Sequence, residues 1–260
     1  NRRRMDSEII KYYHEFADKD LINIINNSIK NIKDPIKIEK ATKHIKRIFC
    51  KKVKKIDWFK ETKFTKIDFI NKALIKTGKE NPNYLEIGVL ENKNFSQIKT
   101  KNKISVDPDI NSLPTFLGSS NEFFKINKKM FDVIFIDGLH TFEQCREDAI
   151  NALNFLNKDG YIFIHDLIPR NFIEEYIPRI GTVWTGDIWK VSVELAKTKG
   201  INFKVILADH GLGILKKTQD QIKYYEEDRR SLIYKTYEDF FELNKIIKYQ
   251  NAETAYEEFL

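Results

Sequence analysis

Residues 131–140 read Phe-Asp-Val-Ile-Phe-Ile-Asp-Gly-Leu-His, and this stretch decides the fold that the sequence predicts. Five of its first six residues are apolar, a pattern typical of a strand buried on both faces of a parallel sheet. Asp137 and His140 follow the strand, where packing alone rarely requires an acid and a histidine. Since ligands of open α/β sheets bind at the carboxyl ends of the strands, the stretch predicts a functional site as well as a core strand.

A second apolar strand ends in the same way. Residues 161–164 read Tyr-Ile-Phe-Ile, and His165 and Asp166 come directly after them. If the two strands are neighbours, both acids and this histidine lie at one edge of the sheet. Carboxylate oxygens favour Mg²⁺, Ca²⁺ or Mn²⁺, and a histidine shifts the preference toward Mn²⁺ or another transition metal. We therefore predict a divalent-cation site on Asp137, His165 and Asp166. The alternative is that Asp137 contacts a bound cofactor and His165 is a hydrogen-bonded core histidine.

His140 is the candidate general base of this site. It lies three residues after Asp137, and an unperturbed histidine changes its charge close to neutral pH, which suits proton transfer. The alternative is that His140 opens the following helix and forms local hydrogen bonds only.

Strands and helices alternate between residues 83 and 200, which predicts a mainly parallel sheet with helices on both faces. The predicted strands are 84–89, 104–106, 115–117, 131–136 and 161–164, and the predicted helices are 92–100, 119–127, 142–156 and 187–199. Two further strands, 203–208 and 212–217, are separated by three residues. So short a connection requires an antiparallel pair, which puts one antiparallel strand at the end of the series.

The turn after the first strand indicates the cofactor. A dinucleotide-binding fold requires GxGxxG here, because the pyrophosphate must approach the helix closely, but Gly88 is the single glycine. A ligand without phosphates, such as S-adenosylmethionine, needs less room. Glu86 could then hold its amino group, and Asp107, at the end of the second strand, could bind both ribose hydroxyls. Ser119 and Ser120 either cap the helix that follows them or lie beside the adenine ring.

Residues 80–217 resemble a class I S-adenosylmethionine-dependent methyltransferase. The resemblance is strongest across residues 131–143 and 160–166, which are similar to metal-dependent O-methyltransferases acting on sugars of macrolide and aminocoumarin antibiotics. In that family, acids at the positions of Asp137 and of residues 165–166 bind Mg²⁺, and a histidine at the position of His140 is the proposed base. Position 165 departs from the family, because it holds a histidine where an acid is usual.

The resemblance implies a Rossmann-like, doubly wound methyltransferase sheet over residues 80–217. Residues 1–79 and 218–260 lie outside the resemblance, and their residue patterns predict helical extensions. It implies S-adenosylmethionine as cofactor, with Glu86, Gly88 and Asp107 at the family's cofactor positions. We also predict cofactor contacts for Ser119, Ser120 and Asp137. The activity that it implies is metal-assisted O-methylation of a saccharide, in a surface glycan or a nucleotide-linked sugar. Amino-sugar N-methylation, RNA methylation and a non-catalytic assembly module are the alternatives.

Composition limits the partners and the setting. The chain has 260 residues and a net charge of +7, with a basic surplus in the first 60 residues and an acidic one after 218. We do not expect nucleic acid as the partner, because aromatic residues are not interleaved with the basic ones. The helical extensions could mediate homo-oligomerisation. No apolar run is long enough to span a membrane, and two distant cysteines favour a reduced, cytoplasmic setting.

Overall fold

The computed structural model of this protein describes residues 34, 58, 61–179 and 183–259. Within these residues, one sheet of eight strands runs in the order β3-β2-β1-β4-β5-β7-β6-β8. The strands are β1 (Tyr84–Ile87), β2 (Lys103–Asp107), β3 (Phe116–Leu117), β4 (Phe131–Ile136), β5 (Leu156–Ile164), β6 (Ile201–Ile206), β7 (Leu212–Lys217) and β8 (Tyr249–Gln250).

Strands β1 to β5 are parallel to one another, and β7 is antiparallel to both β5 and β6. This arrangement confirms the predicted doubly wound sheet, mostly parallel with one antiparallel strand late in the series. The order of the strands reverses between β1 and β4. A crevice therefore opens beyond the carboxyl ends of these two strands, which is where ligands of such sheets bind.

Helices cover both faces of the sheet. They are α1 (Lys66–Lys76), α2 (Lys93–Ser96), α3 (Ser120–Ile126), α4 (Phe142–Asn154), α5 (Phe172–Glu175), α6 (Trp189–Lys197), α7 (Arg229–Ile233), α8 (Tyr237–Leu243) and α9 (Ala252–Glu258), with 3₁₀ turns at Ile110–Ser112 and Asn244–Ile246. None of them is long and apolar enough to cross a membrane.

The apolar run at 133–136 lies in β4, at the centre of the sheet. Ile134 and Ile136 pack into the core on the side of α4, and Val133 and Phe135 pack into the core on the side of α1. Successive side chains of a strand point to opposite faces, so an uninterrupted apolar run supplies both cores at once. Burial of each large apolar side chain contributes about 1.5–3 kcal/mol.

The chain beyond the predicted 80–217 unit contributes to the same sheet. Helix α1 buries Phe69 and Ile70 in the core that it shares with β4. Strand β8 pairs in parallel with β6, although the sequence predicts only helices after residue 218, because two residues are too few to give a strand periodicity. The predicted helix at 92–100 is limited to α2. Most of the helical extension predicted at 1–79 lies outside the described residues, and the domain boundaries stay a prediction.

Candidate active site

The ends of β1 and β4 are in direct contact at Gly88. The Gly88 N–H donates to the carbonyl of Val106 at 2.9 Å, and the Asp137 N–H donates to the carbonyl of Ile87 at 2.8 Å. Gly88 has a φ of +81°, and a Cβ at this position would overlap the Asp137 backbone. Only glycine accommodates both the backbone conformation and the close approach.

Asp107 shapes the turn that follows β1. Its Oδ2 accepts the N–H groups of Val89 (2.9 Å) and Leu90 (3.3 Å), and its Oδ1 accepts the N–H of Asp109 (2.8 Å). The acid at the end of β2 is therefore adjacent to the crevice, and its carboxylate holds the backbone beside Gly88. A carboxylate has about four lone-pair positions, so Asp107 retains capacity for a ligand hydroxyl.

Glu86 is a fully buried acid in β1, one residue before the strand ends at the crevice. The Tyr84 hydroxyl donates to Oε2 at 2.6 Å, whereas Oε1 is buried without a hydrogen-bond partner among the described residues. Burial raises the pKa of Glu86 to about 7, and the Tyr84 hydrogen bond only partly offsets this. The side chain thus has an unused acceptor in a place where a cation would be stabilising.

The two serines before α3 have different contacts. The Ser119 hydroxyl accepts the Glu122 N–H at 3.3 Å, and the Glu122 carboxylate accepts the Ser119 N–H at 2.8 Å, so Ser119 caps the helix in a capping box. The Ser120 hydroxyl donates to Asp148 Oδ1 at 2.6 Å. Burial raises the pKa of Asp148 to about 6. Capping of the helix therefore accounts for Ser119, and contact with the adenine ring stays a prediction for both serines.

Three side chains converge beyond the ends of β4 and β5. Asp137, His140 and Asp166 each offer one ligand atom, and these atoms lie within 4.8 Å of one another. His140 Nε2 is 3.4 Å from Asp137 Oδ1, and His140 Nδ1 is 3.4 Å from Asp166 Oδ2. Two carboxylates and one imidazole are a donor set that suits Mn²⁺ and related divalent ions, so these residues fit a metal. We name them the acid–histidine centre.

The orientation of His140 is set by Trp184. His140 Nδ1 lies 2.7 Å from the carbonyl oxygen of Trp184, and because a carbonyl can only accept, Nδ1 carries a proton. The neutral ring then has its lone pair on Nε2, within the acid–histidine centre. The indole of Trp184 stacks on the imidazole at 5.4 Å and 25°. Burial lowers the pKa of His140, but Asp137 and Asp166 raise it above the usual value overall.

His165 lies between carboxylates on both sides. Its Nδ1 is 3.2 Å from Asp137 Oδ1, and its Nε2 is 2.9 Å from Asp209 Oδ2. Burial opposes a charge here, yet Asp137 and Asp166 raise the pKa of His165 to about 10. Asp137, His140 and Asp166 are the residues whose ligand atoms converge, and the metal-ligand role of His165 stays a prediction.

Sequence reasoning missed Lys66 and the role of Asp209. Lys66, the first residue of α1, has its Nζ 3.4 Å from Asp209 Oδ2 and 3.8 Å from Asp137 Oδ2. Burial of Asp137 is outweighed by His165, His140 and Lys66, which hold the pKa of its carboxyl well below the usual value. No sequence motif includes Lys66, and the position of Asp209 between β6 and β7 indicates only an ordinary turn residue.

Residues 94–167 match a family model described as a methyltransferase domain. No curated protein matches the sequence. Among solved structures, an O-methyltransferase from Bacillus cereus in complex with SAH is similar at a TM-score of 0.42 and 11% identity, covering 75% of this chain and 97% of that one. The SAM-bound amino pentose methyltransferase CalS10 from Micromonospora echinaspora gives a TM-score of 0.41 at 13% identity, over 58% of this chain and 88% of that one.

The MycE methyltransferase from the mycinamycin biosynthetic pathway, in complex with Mg and SAH, gives a TM-score of 0.42 at 15% identity, over 64% of this chain and 54% of that one. The family match extends from α2 to the segment after β5 and includes the whole acid–histidine centre. Residues 94–167 are therefore similar to a methyltransferase domain, and they lie in a mostly parallel sheet with an antiparallel β7.

Proposed function

We propose that this protein is a class I methyltransferase that uses S-adenosylmethionine as its methyl donor. It transfers the methyl group to a hydroxyl oxygen of a saccharide, and His140 takes the proton of that hydroxyl. The observation that carries the proposal is the convergence of His140 with the carboxylates of Asp137 and Asp166, with His140 Nε2 3.4 Å from Asp137 Oδ1. This convergence lies at the crevice between β1 and β4, next to Gly88, where a cofactor of this class would present its methyl group.

Glu86, Asp107 and the turn at Gly88 are the proposed cofactor-binding groups. The buried, unpartnered Oε1 of Glu86 supports a contact with the ammonium group of the cofactor, since a cation there would remove the penalty of a buried acid. Asp107 is proposed to accept from the ribose hydroxyls while it keeps its backbone N–H partners. Ser119, Ser120 and Asp137 complete the proposed set of cofactor contacts.

Asp137 and Asp166 are proposed to hold a divalent cation, Mg²⁺ or Mn²⁺. When bound, such an ion would lower the pKa of an acceptor hydroxyl and so favour its alkoxide form. His165 is proposed to act on this centre indirectly. Its two ring nitrogens face Asp137 and Asp209, so the imidazolium holds the Asp137 carboxylate in a fixed orientation.

His140 is proposed to remove the proton in the transfer step. Its Nδ1–H is occupied by the Trp184 carbonyl, which leaves Nε2 as the atom that accepts the proton from the acceptor hydroxyl. The acceptor oxygen forms a bond to the methyl carbon, and the electron pair of the breaking carbon–sulfur bond stays on sulfur, giving S-adenosylhomocysteine. Alignment of the two reactants at the crevice would supply much of the acceleration.

The saccharide class of acceptor is supported by the surroundings of the base. The indole of Trp184 stacks on His140 and is not fully buried, and an aromatic side chain next to a base suits the apolar face of a sugar ring. Arg170, half-buried and paired with Glu174, lies four residues after Asp166, and its remaining guanidinium N–H groups could pair with a phosphate of a nucleotide-linked sugar.

The test is product analysis with purified full-length protein, S-adenosylmethionine and a panel of nucleotide-linked sugars with free hydroxyls, matched by amino-sugar and RNA acceptors. We expect a methyl ether in the saccharide arm, and we expect chelation with EDTA followed by Mn²⁺ to stop and then restore turnover. Methylation confined to the amine or to RNA would replace the hydroxyl acceptor by that class. Full activity after removal of all divalent ions would eliminate the cation from the mechanism.

A further inference from the structure

Two segments distant in sequence lock together beside His140. Gly186, with a φ of +60°, lies so close to the backbone of His140 that a Cβ would overlap its carbonyl. Trp184, two residues before Gly186, accepts the imidazole N–H of His140 with its carbonyl oxygen and stacks its indole on the ring. Asp187, the residue after Gly186, is 3% exposed and lies against the same loop. Residues 184–187 therefore form a support for the loop that presents His140.

Asp187 is bonded on one side to the loop and on the other to a buried lysine. Its Oδ1 accepts the N–H of Phe142 at 2.8 Å, and Phe142 is the first residue of α4, whose N–H has no acceptor within the helix. Its Oδ2 lies 2.6 Å from Lys190 Nζ, and Lys190 is fully buried. Lys190 also donates to the carbonyl of Ile233 in α7 at 3.2 Å.

This buried pair does more than cap a helix. Thr141 already occupies the N-cap position of α4, and its hydroxyl accepts the Gln144 N–H. A buried ion pair is also weak evidence for stability, since an apolar pair of similar volume is often as stable. Unlike an apolar pair, this ion pair places a hydrogen-bond acceptor against the N–H of Phe142, two residues after His140.

We propose that Asp187 is a positioning residue for His140: held by Lys190, it anchors the start of α4 so that Nε2 of His140 stays within the acid–histidine centre. The inference rests on the proposed function, in which His140 takes the proton. Asp187 itself touches neither acceptor nor cofactor in this account. It acts through the backbone at Phe142, and Lys190 links the same anchor to α7 in the C-terminal segment.

A pair of double variants separates the hydrogen bond from the buried charge. Asp187→Asn with Lys190→Met removes both charges but keeps a carbonyl oxygen that can accept the Phe142 N–H. Asp187→Leu with Lys190→Met has the same charge and similar volume but no acceptor. We expect kcat close to wild type in the first and about 10²-fold lower in the second, the size of effect expected when a reacting group is displaced by about 1 Å.

Glu227→Gln is the matched control, because it disrupts the Lys197–Glu227 ion pair on the same helix, α6, away from His140. The affinity for S-adenosylhomocysteine should be unchanged in all three proteins. A merely structural role of Asp187 would instead lower affinity, thermal stability and kcat together in the Leu/Met variant. Equal kcat in the two double variants, both folded and both binding S-adenosylhomocysteine, would overturn the inference.

A second readout does not depend on turnover. In protein labelled with ¹⁵N-histidine, the proton on Nδ1 of His140 should keep its chemical shift in the Asn/Met variant and should move or exchange away in the Leu/Met variant. An unchanged signal in both variants contradicts the positioning role. If instead His140→Ala retains turnover, the proposed function fails, whereas a fully active Leu/Met variant beside an inactive His140→Ala removes this inference alone.

Discussion

Replacement of Glu86 by glutamine should make the protein more stable and its cofactor affinity weaker. The pKa of Glu86 is raised by burial from 4.5 to about 7, and each pKa unit corresponds to about 1.4 kcal/mol. Ionisation of this side chain in the folded protein therefore costs about 3 kcal/mol. Because the folded pKa lies above the unfolded one, the folded wild type loses stability as the pH rises from 4.5 to 7 and does not regain it above 7.

Glutamine has almost the same shape and can still accept from the Tyr84 hydroxyl, but it never ionises. We expect Glu86→Gln to match wild type near pH 4.5 and to exceed it at pH 8 by up to about 3 kcal/mol in free energy of unfolding. Urea unfolding followed by circular dichroism at both pH values measures this difference. Glu91→Gln, an exposed acid on the neighbouring turn, should show no such pH-dependent gain.

The same variant should bind S-adenosylhomocysteine about 10- to 100-fold more weakly at pH 8, the range expected for loss of a hydrogen bond to a charged group. Isothermal titration provides the affinity. A residue kept as a destabilising acid for the sake of a ligand must show both effects. The reasoning is refuted if Glu86→Gln is less stable than wild type at pH 8, or if it binds the ligand with unchanged affinity.

Three further substitutions test other parts of the site. Gly88→Ala should lower the free energy of unfolding by more than about 2 kcal/mol, since it adds left-handed strain to an overlap with the Asp137 backbone. In thermal unfolding it should lose clearly more stability than Gly78→Ala, because Gly78 has a φ of +68° but open space around it. Equal losses of stability in the two variants would contradict the close approach at Gly88. Asp166→Asn should weaken Mn²⁺ binding to chelator-treated protein at least about 10-fold, as seen by electron paramagnetic resonance, and unchanged binding would remove Asp166 from the cation site. Asp209→Asn removes the carboxylate at His165 Nε2, so we expect a lower kcat at unchanged S-adenosylhomocysteine affinity, and a wild-type kcat would show that His165 needs no such partner.

The sequence predicts the centre of the sheet well because the signals there are local. The apolar run of β4 and the polar residues after it are contiguous, and position along a parallel strand decides which residues reach the crevice. Asp137, His140 and Asp166 are found in this way. The single glycine at position 88 is likewise interpretable, because its φ and its contact with Asp137 are direct consequences of a turn between two adjacent strands.

The remaining features depend on contacts between distant segments. His165 follows β5 as the sequence predicts, but one of its partners is Asp209, which the β6–β7 connection places on the other side of the imidazole ring. Lys66 reaches the same cluster because α1 begins at the carboxyl edge of the sheet. Asp187 carries no motif of its own, and its contact with Phe142 spans 45 positions. No local pattern encodes such pairings.

One measurement tests the central claim most directly: turnover of a saccharide acceptor by wild type and by His140→Ala, with the affinity of each for S-adenosylhomocysteine measured by isothermal titration on the same preparations. The account predicts that His140→Ala binds S-adenosylhomocysteine as wild type does and transfers no methyl group. Methyl transfer by His140→Ala at a rate near that of wild type would contradict the role given to His140 and to the centre around it.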